Sequence, residues 1–193
     1  MLSGLILPTS GDIEIENMDM KKDIFKIKEI LNVSPQETAI APNLTVKENL
    51  EFMAGVYQIS NKEKKIDELI KQFKLEEILN KRTKTLSGGW QRRLSIAISL
   101  INNPKILFLD EPTLGLDVIA RKELWKVINE LKGKITIILT THYMEEAESL
   151  SDRIGIMANG KLVDVGTSED LIKKTKTNNF EDAFVSIATG GEL

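Results

Sequence analysis

The spacing of apolar residues changes repeatedly along the chain, and each change predicts an element. Ile13 and Ile15 alternate with carboxylates in GDIEIENMD, which predicts a half-exposed strand, whereas Ile24, Ile27 and Ile30 in DIFKIKEI recur at helical spacing. The run ILNVSPQ predicts a short buried strand stopped by Pro35. From Pro42 to about Leu100 only the helical period is present. Thr45, with Glu48 three residues on, has the form of a capping box before a helix carrying Val46, Leu50, Met53 and Tyr57 on one face. NKEKKIDELIKQFKLEEIL repeats that rhythm with Ile66, Leu69, Ile70 and Phe73. Residues from about 37 to 100 are therefore expected to form a helical subdomain inserted in a single domain spanning 1–193.

Beyond that insertion strands and helices alternate: KILFL, VIARKELWKVINEL, KITIILT, YMEEAESL, RIGIMA. Strands separated by helices of this length predict right-handed parallel crossovers, an α/β fold with a doubly wound, mostly parallel sheet that RIGIMA joins. Asn159-Gly160 predicts a tight hairpin into KLVDVG, and Thr167 with Asp170 predicts the cap of a further helix. Phe180, Phe184 and Ile187 in FEDAFVSIATG are spaced for a last short helix.

Composition narrows the function classes. With 26 Lys and Arg against 29 Asp and Glu the formal net charge is −3, and the two signs are interleaved along the chain, so no basic stripe points to nucleic acid. The absence of cysteine excludes disulfides and thiolate zinc sites, and one histidine cannot build a histidine-based metal centre. No apolar run reaches the ~18 residues that a membrane-crossing helix needs, and MLSGLIL lacks the charged start of a secretory signal, so an intracellular protein is expected.

In open parallel sheets ligands bind beyond the carboxyl ends of the strands, which directs attention to the residues just after them. Gln36 follows ILNVSP, Asp110 and Glu111 follow KILFL, Asp117 follows the next turn, and His142 follows KITIILTT. Taken singly, each has an ordinary reading as a loop residue, a solvated turn or a hydrogen-bonded histidine; their joint placement on one edge favours a site. LSGGWQRRLSIAISL sets Ser87, Gly88 and Gly89 directly before a helix marked by Leu94, Ala97, Ile98 and Ile101. Backbone N–H groups there can receive an anion, and side-chain-free glycines let it approach. A serine N-cap with a flexible glycine entry explains the same residues, and the residues alone leave both readings open.

These stretches together resemble the nucleotide-binding domain of ATP-binding cassette (ABC) transporters, over the whole chain. LSGGWQRR is similar to that family's signature, ILFLDE to its Walker B strand with the catalytic glutamate, LGLD to its D-loop, TTH to its switch histidine and SPQ to its Q-loop. The LSGGW form and the tail NFEDAFVSIATG are similar to cassettes of multidrug, lipid and antibiotic exporters. The resemblance implies a P-loop nucleoside triphosphate hydrolase fold and an ATPase with ATP and Mg²⁺ as cofactors. It assigns Mg²⁺ to Asp110 and Gln36, activation of the attacking water to Glu111, with Gln36 also reaching that water, and γ-phosphate contact to His142. Ser87, Gly88 and Gly89 would serve nucleotide bound by a second nucleotide-binding domain, in a homo- or heterodimer with Asp117 at the interface. It further implies a membrane permease partner docking near residues 37–60, a cytoplasmic place on the inner face of the membrane, and export driven by hydrolysis.

One family motif is not found: no G-x-x-x-x-G-K-[ST] phosphate loop occurs in the 193 residues. The family's pattern places it just upstream of MLSGLILPTSG, so the chain is expected to be the C-terminal part of a longer cassette, lacking the strand that feeds the loop and exposing strand edges in its absence. Two functions follow as expectations. The first is the ATP-hydrolysing subunit of an exporter; the alternative is a non-catalytic cassette that lends its signature to a complete partner.

Overall fold

The computed structural model describes residues 1–191 of the chain. They divide into two compact units, Met1–Thr140 and a second that begins at Thr141.

In the first unit the strand expected in GDIEIENMD is a minimal hairpin, β1 (Glu14–Ile15) and β2 (Met18–Asp19), paired antiparallel. Glu16 and Asn17 turn the chain with φ of 52° and 60°, the left-handed pair that a two-residue hairpin requires. The helix α1 (Ile24–Ile30) buries Ile27 and runs straight into β3 (Leu31–Ser34), which Pro35 ends as expected. Met20, Ile27 and Leu31 form a small core shared with Ile106 and Phe108.

The helical stretch follows. The capping box is present at α2 (Val46–Val56): the Glu48 amide donates to the Thr45 hydroxyl at 3.2 Å and the Thr45 amide donates back to the Glu48 carboxylate at 2.7 Å. The buried face of α2 is Val46, Asn49, Leu50 and Ala54, rotated from the expected one, and Tyr57 is exposed. Asn49 takes the interior position because its amide pairs with both main-chain groups of Ala41, at 2.8 and 3.2 Å, pinning the preceding loop. On α3 (Lys62–Phe73) all four expected residues, Ile66, Leu69, Ile70 and Phe73, are buried. A buried side chain of this size adds about 1.5–3 kcal/mol. The helix α4 (Gly88–Ser99) is buried from Arg92 to its end.

Three parallel strands form the sheet, in the order β3, β4 (Ile106–Asp110), β5 (Thr136–Thr140), with α5 (Val118–Leu131) crossing between the last two. Ser34 pairs with Leu109 and Asp110 with Thr140, so the three carboxyl ends lie level on one edge. Leu107 and Leu109 are buried in the core, while β5 is nowhere fully buried.

The second unit contains α6 (Met144–Leu150), β6 (Ile154–Ala158), β7 (Lys161–Gly166), α7 (Ser168–Thr175) and α8 (Phe180–Thr189). Within this unit β6 pairs with β7, antiparallel. Its partner lies two residues away across Asn159 and Gly160, whose φ of 50° and 74° suit a tight turn, so closure costs little chain entropy. The expected cap is formed by Thr167 on α7, and Asn179, which the sequence reading did not single out, caps α8. Ala147, Ile156, Leu171 and Phe180 make the core, with Phe184 and Ile187 packed on it.

Candidate functional site

The carboxyl edge of the three-stranded sheet brings Gln36, Asp110 and Glu111 together as the strand pattern predicts. Asp110 is the last residue of β4 and is exposed, and the Thr140 hydroxyl donates to its Oδ1 at 2.5 Å from the neighbouring strand. Glu111 leaves the strand with φ of 45°, while its amide stays tied to the Thr140 carbonyl at 3.0 Å. Other left-handed residues of this chain have local reasons: Asn17 and Asn159 sit in hairpin turns, and Lys74 and Lys176 close helices. Glu111 has neither, and a glutamate in that region costs about 1–3 kcal/mol, a cost characteristic of functional positions. The twist places the two adjacent carboxylates differently: Asp110 is open, while Glu111 Oε2 is buried.

Gln36 lies two residues beyond Ser34, the last residue of β3, which pairs with Leu109 just before Asp110, and its side chain is exposed. Its main chain is held by a residue that the sequence did not single out. Arg92, buried on α4, donates Nη1 to the Pro35 carbonyl at 2.6 Å and Nη2 to the Gln36 carbonyl. One helical turn on, the Ser95 and Ser34 hydroxyls meet at 3.3 Å. The signal was present in the doubled arginine of LSGGWQRR, but only the fold tells which arginine turns inward towards the strand exit.

Ser87 occupies the N-cap position of α4, yet its side chain makes no capping hydrogen bond. Of the two readings of this stretch, the serine cap is therefore not realised, and the exposed hydroxyl keeps its hydrogen-bonding capacity at a positive helix end. The two glycines differ. A Cβ on Gly88 would meet nothing within 4 Å, whereas one on Gly89 would stand 3.2 Å from the Ala120 Cβ of α5. Gly89 is a packing glycine, and the same helix pair is held by Arg93, which bridges to Glu123 at 2.5 Å and lies over the Trp90 ring at 4.6 Å.

Asp117 caps α5: its Oδ1 accepts from the Ile119 and Ala120 amides at 2.9 and 3.0 Å. Beside it Val118 and Ile119 are exposed by 58% and 75%, an apolar pair on the first turn. His142 belongs to the second unit, where it is exposed and its ring lies 4.2 Å from that of Tyr143.

Comparison with known proteins gives this geometry a family. Residues 1–114 match the model of the ABC transporter family. The chain is 42% identical to human phospholipid-transporting ATPase ABCA3 over 176 residues, 90% of this chain and 10% of that protein. It is 38% identical over 195 residues to the probable multidrug ABC transporter ATP-binding protein YbhF of Escherichia coli (strain K12), covering 97% of this chain and 34% of the relative. Against ABC transporter A family member 12 of Arabidopsis thaliana the identity is 42%, with 89% of this chain and 19% of that one covered. The chain thus spans between a tenth and a third of these relatives. Among solved structures, an ATP-binding subunit of an ABC transporter superposes with a TM-score of 0.83 at 27% identity, over 96% of this chain and 80% of its own. A dimeric ATP-binding cassette in a post-hydrolysis state, bound to ADP and Pi, superposes with a TM-score of 0.74 at 27% identity, covering 86% of this chain and 76% of its own. The fold is the α/β fold of ABC-type P-loop ATPase domains, and the chain belongs to the ABC transporter family.

Proposed function

We propose that these residues are part of the ATP-hydrolysing engine of an ABC transporter, which drives export through a separate membrane permease from the cytoplasmic face of the membrane. The single observation that carries this reading is the twisted carboxylate pair at the end of β4. Asp110 is open to a cation, and Glu111 is held in a strained backbone state beside it.

Among the described residues no group of three or more His, Cys, Asp or Glu is placed to hold a metal ion. The open Asp110 carboxylate is instead suited to Mg²⁺, which binds through one or two carboxylates and completes its shell with water and nucleotide phosphates. Asp110 would hold it, with Gln36 in the loop after β3 as its second partner, and the ion would supply neutralisation of phosphate charge. Glu111 accepts the proton of the attacking water, a role worth about 10²–10⁴ in rate. His142 is assigned the γ-phosphate contact. Phosphoryl transfer needs positioning and charge more than a covalent nucleophile, and these residue types supply both. No glycine-rich phosphate loop lies within the 193 residues, so they account for the metal, base and signature parts of the site.

The uncapped Ser87 and the open Gly88 suit contact with the γ-phosphate of nucleotide held by a second cassette. Exposed Val118 and Ile119 beside Asp117 support that interface, and the dimeric cassette found among the structural neighbours is consistent with it. The helical stretch near residues 37–60, with exposed Phe52, is the face we assign to the permease. The names of the relatives, a phospholipid-transporting ATPase and a multidrug transporter protein, support export of an amphipathic substrate.

A complementation experiment tests the composite site in protein carrying these residues together with a phosphate loop. Ser87→Ala and Glu111→Gln each remove turnover alone, and mixing the two proteins regains it, because one of the two sites in a mixed dimer is intact. Failure to regain turnover on mixing, with mixed dimers formed, refutes the shared site.

A further inference from the structure

The opposite end of the sheet carries a feature that the reading above does not use. At the amino ends of β4 and β5, Ile106 and Thr136 line a broad, open cleft of about 1040 Å³, bordered by α3 and by the segments that follow α4 and α5. Its size matches a small-molecule site, which typically measures about 300–1,000 Å³. β4 runs from this cleft to Asp110, so the cleft stands about 13 Å from the carboxylate edge at the rise of a parallel strand.

Charge in the cleft opposes that of the whole chain. The chain carries −3, yet the lining brings four lysines, Lys65, Lys71, Lys105 and Lys134, against two carboxylates, Glu16 and Glu130. They come from three separate segments, so the clustering is produced by the fold and is not a run in the sequence. Lys105 is neutralised by Glu16 at 2.8 Å. Lys71 and Lys134 make no ion pair among the described residues. Lys65 is half-buried and donates to Asn103 Oδ1 at 2.5 Å, a neutral partner. Burial holds its ammonium below the usual lysine range, and the nearby Glu68 carboxylate offsets this only in part.

We propose that this cleft binds a small, multiply charged phosphate compound, gripped by Lys65, Lys71 and Lys134, at a site separate from the carboxylate edge. Lysine ammonium groups recognise phosphate as point charges, and three of them lining one cleft, two from α3 and one from the segment after α5, favour a ligand with more than one negative charge over a monoanion. Asn103 and Gln72 add neutral hydrogen-bonding groups to the lining. The proposal does not depend on nucleotide hydrolysis elsewhere on the molecule.

The test is titration of the full chain with inorganic pyrophosphate, followed by NMR of the lysine side chains. Saturable shifts at Lys65, Lys71 and Lys134, with the Lys65 pKa rising on binding, are expected. The double variant Lys71→Gln, Lys134→Gln changes only exposed positions and is expected to weaken binding by about tenfold or more. The double variant Lys122→Gln, Lys126→Gln on the exposed face of α5 is expected to leave it unchanged. Shifts that never saturate, or equal weakening by both double variants, mean general charge screening and overturn the proposal.

Discussion

Arg92 grips Gln36 by its main-chain carbonyl and leaves the glutamine side chain free. With the second fork nitrogen on Pro35, the helix that begins at Ser87 and the loop that ends β3 are joined by one guanidinium. Recognition by carbonyls fixes the height of the loop without occupying the group assigned to metal and water. Removing both donors leaves two carbonyls without their charged partner, so Arg92→Met is expected to lower the unfolding free energy by about 2–4 kcal/mol. Lysine cannot supply two forked donors, and Arg92→Lys is expected to recover less than half of that loss. Urea unfolding of the three proteins checks both statements; equal stability of Arg92→Met and the parent contradicts them.

The two signature glycines are expected to respond differently to one added methyl group. Gly89→Ala pushes a Cβ to 3.2 Å from Ala120 and is expected to cost about 1–3 kcal/mol, because α4 and α5 must part slightly. Gly88→Ala meets nothing and is expected to leave thermal stability within about 0.5 kcal/mol. Its effect is expected in nucleotide-dependent dimerisation instead, since the open backbone at Gly88 is what an anion would approach. A large stability loss in Gly88→Ala shows that this division is wrong.

Stability is expected to depend on acid at the start of α2. Hydrogen bonds from the Thr45 amide and hydroxyl hold the Glu48 carboxyl below its usual 4.5. A carboxyl whose pKa is lower folded than unfolded contributes stability above the unfolded value and loses it as pH falls through the folded one. The destabilisation caused by Thr45→Ala should therefore be largest near neutrality and shrink as pH drops below 4.5. Chemical unfolding of both proteins at pH 7 and pH 3 measures it; a pH-independent difference shows that the Thr45 hydroxyl adds nothing to the hold on the charged Glu48 carboxylate.

Much of this was legible in the chain because local rules and tertiary packing agree. Ile66, Leu69, Ile70 and Phe73 are buried as their spacing says, and Thr45, Thr167 and the Asn159-Gly160 turn act as their residue types require. Misreadings arose where a distant partner decides. On α2 the interior position went to Asn49, whose amide is satisfied by Ala41, eight residues back, and no hydrophobic count reveals such pairing.

The site divides in the same way. Asp110, Glu111 and Gln36 could be placed on one edge from strand ends alone. The left-handed backbone of Glu111, the uncapped Ser87 hydroxyl and the inward fork of Arg92 required coordinates, since each depends on a neighbour far away in sequence or on a single torsion.

The most direct measurement is the rate of ATP hydrolysis, in protein carrying these residues together with a phosphate loop, before and after Glu111→Gln. If Glu111 activates water, the rate falls by about 10²–10⁴ while nucleotide stays bound and a dimer accumulates. Turnover at the parent rate would contradict the assignment of Glu111 as the base, and with it the central claim about the carboxylate pair that ends β4.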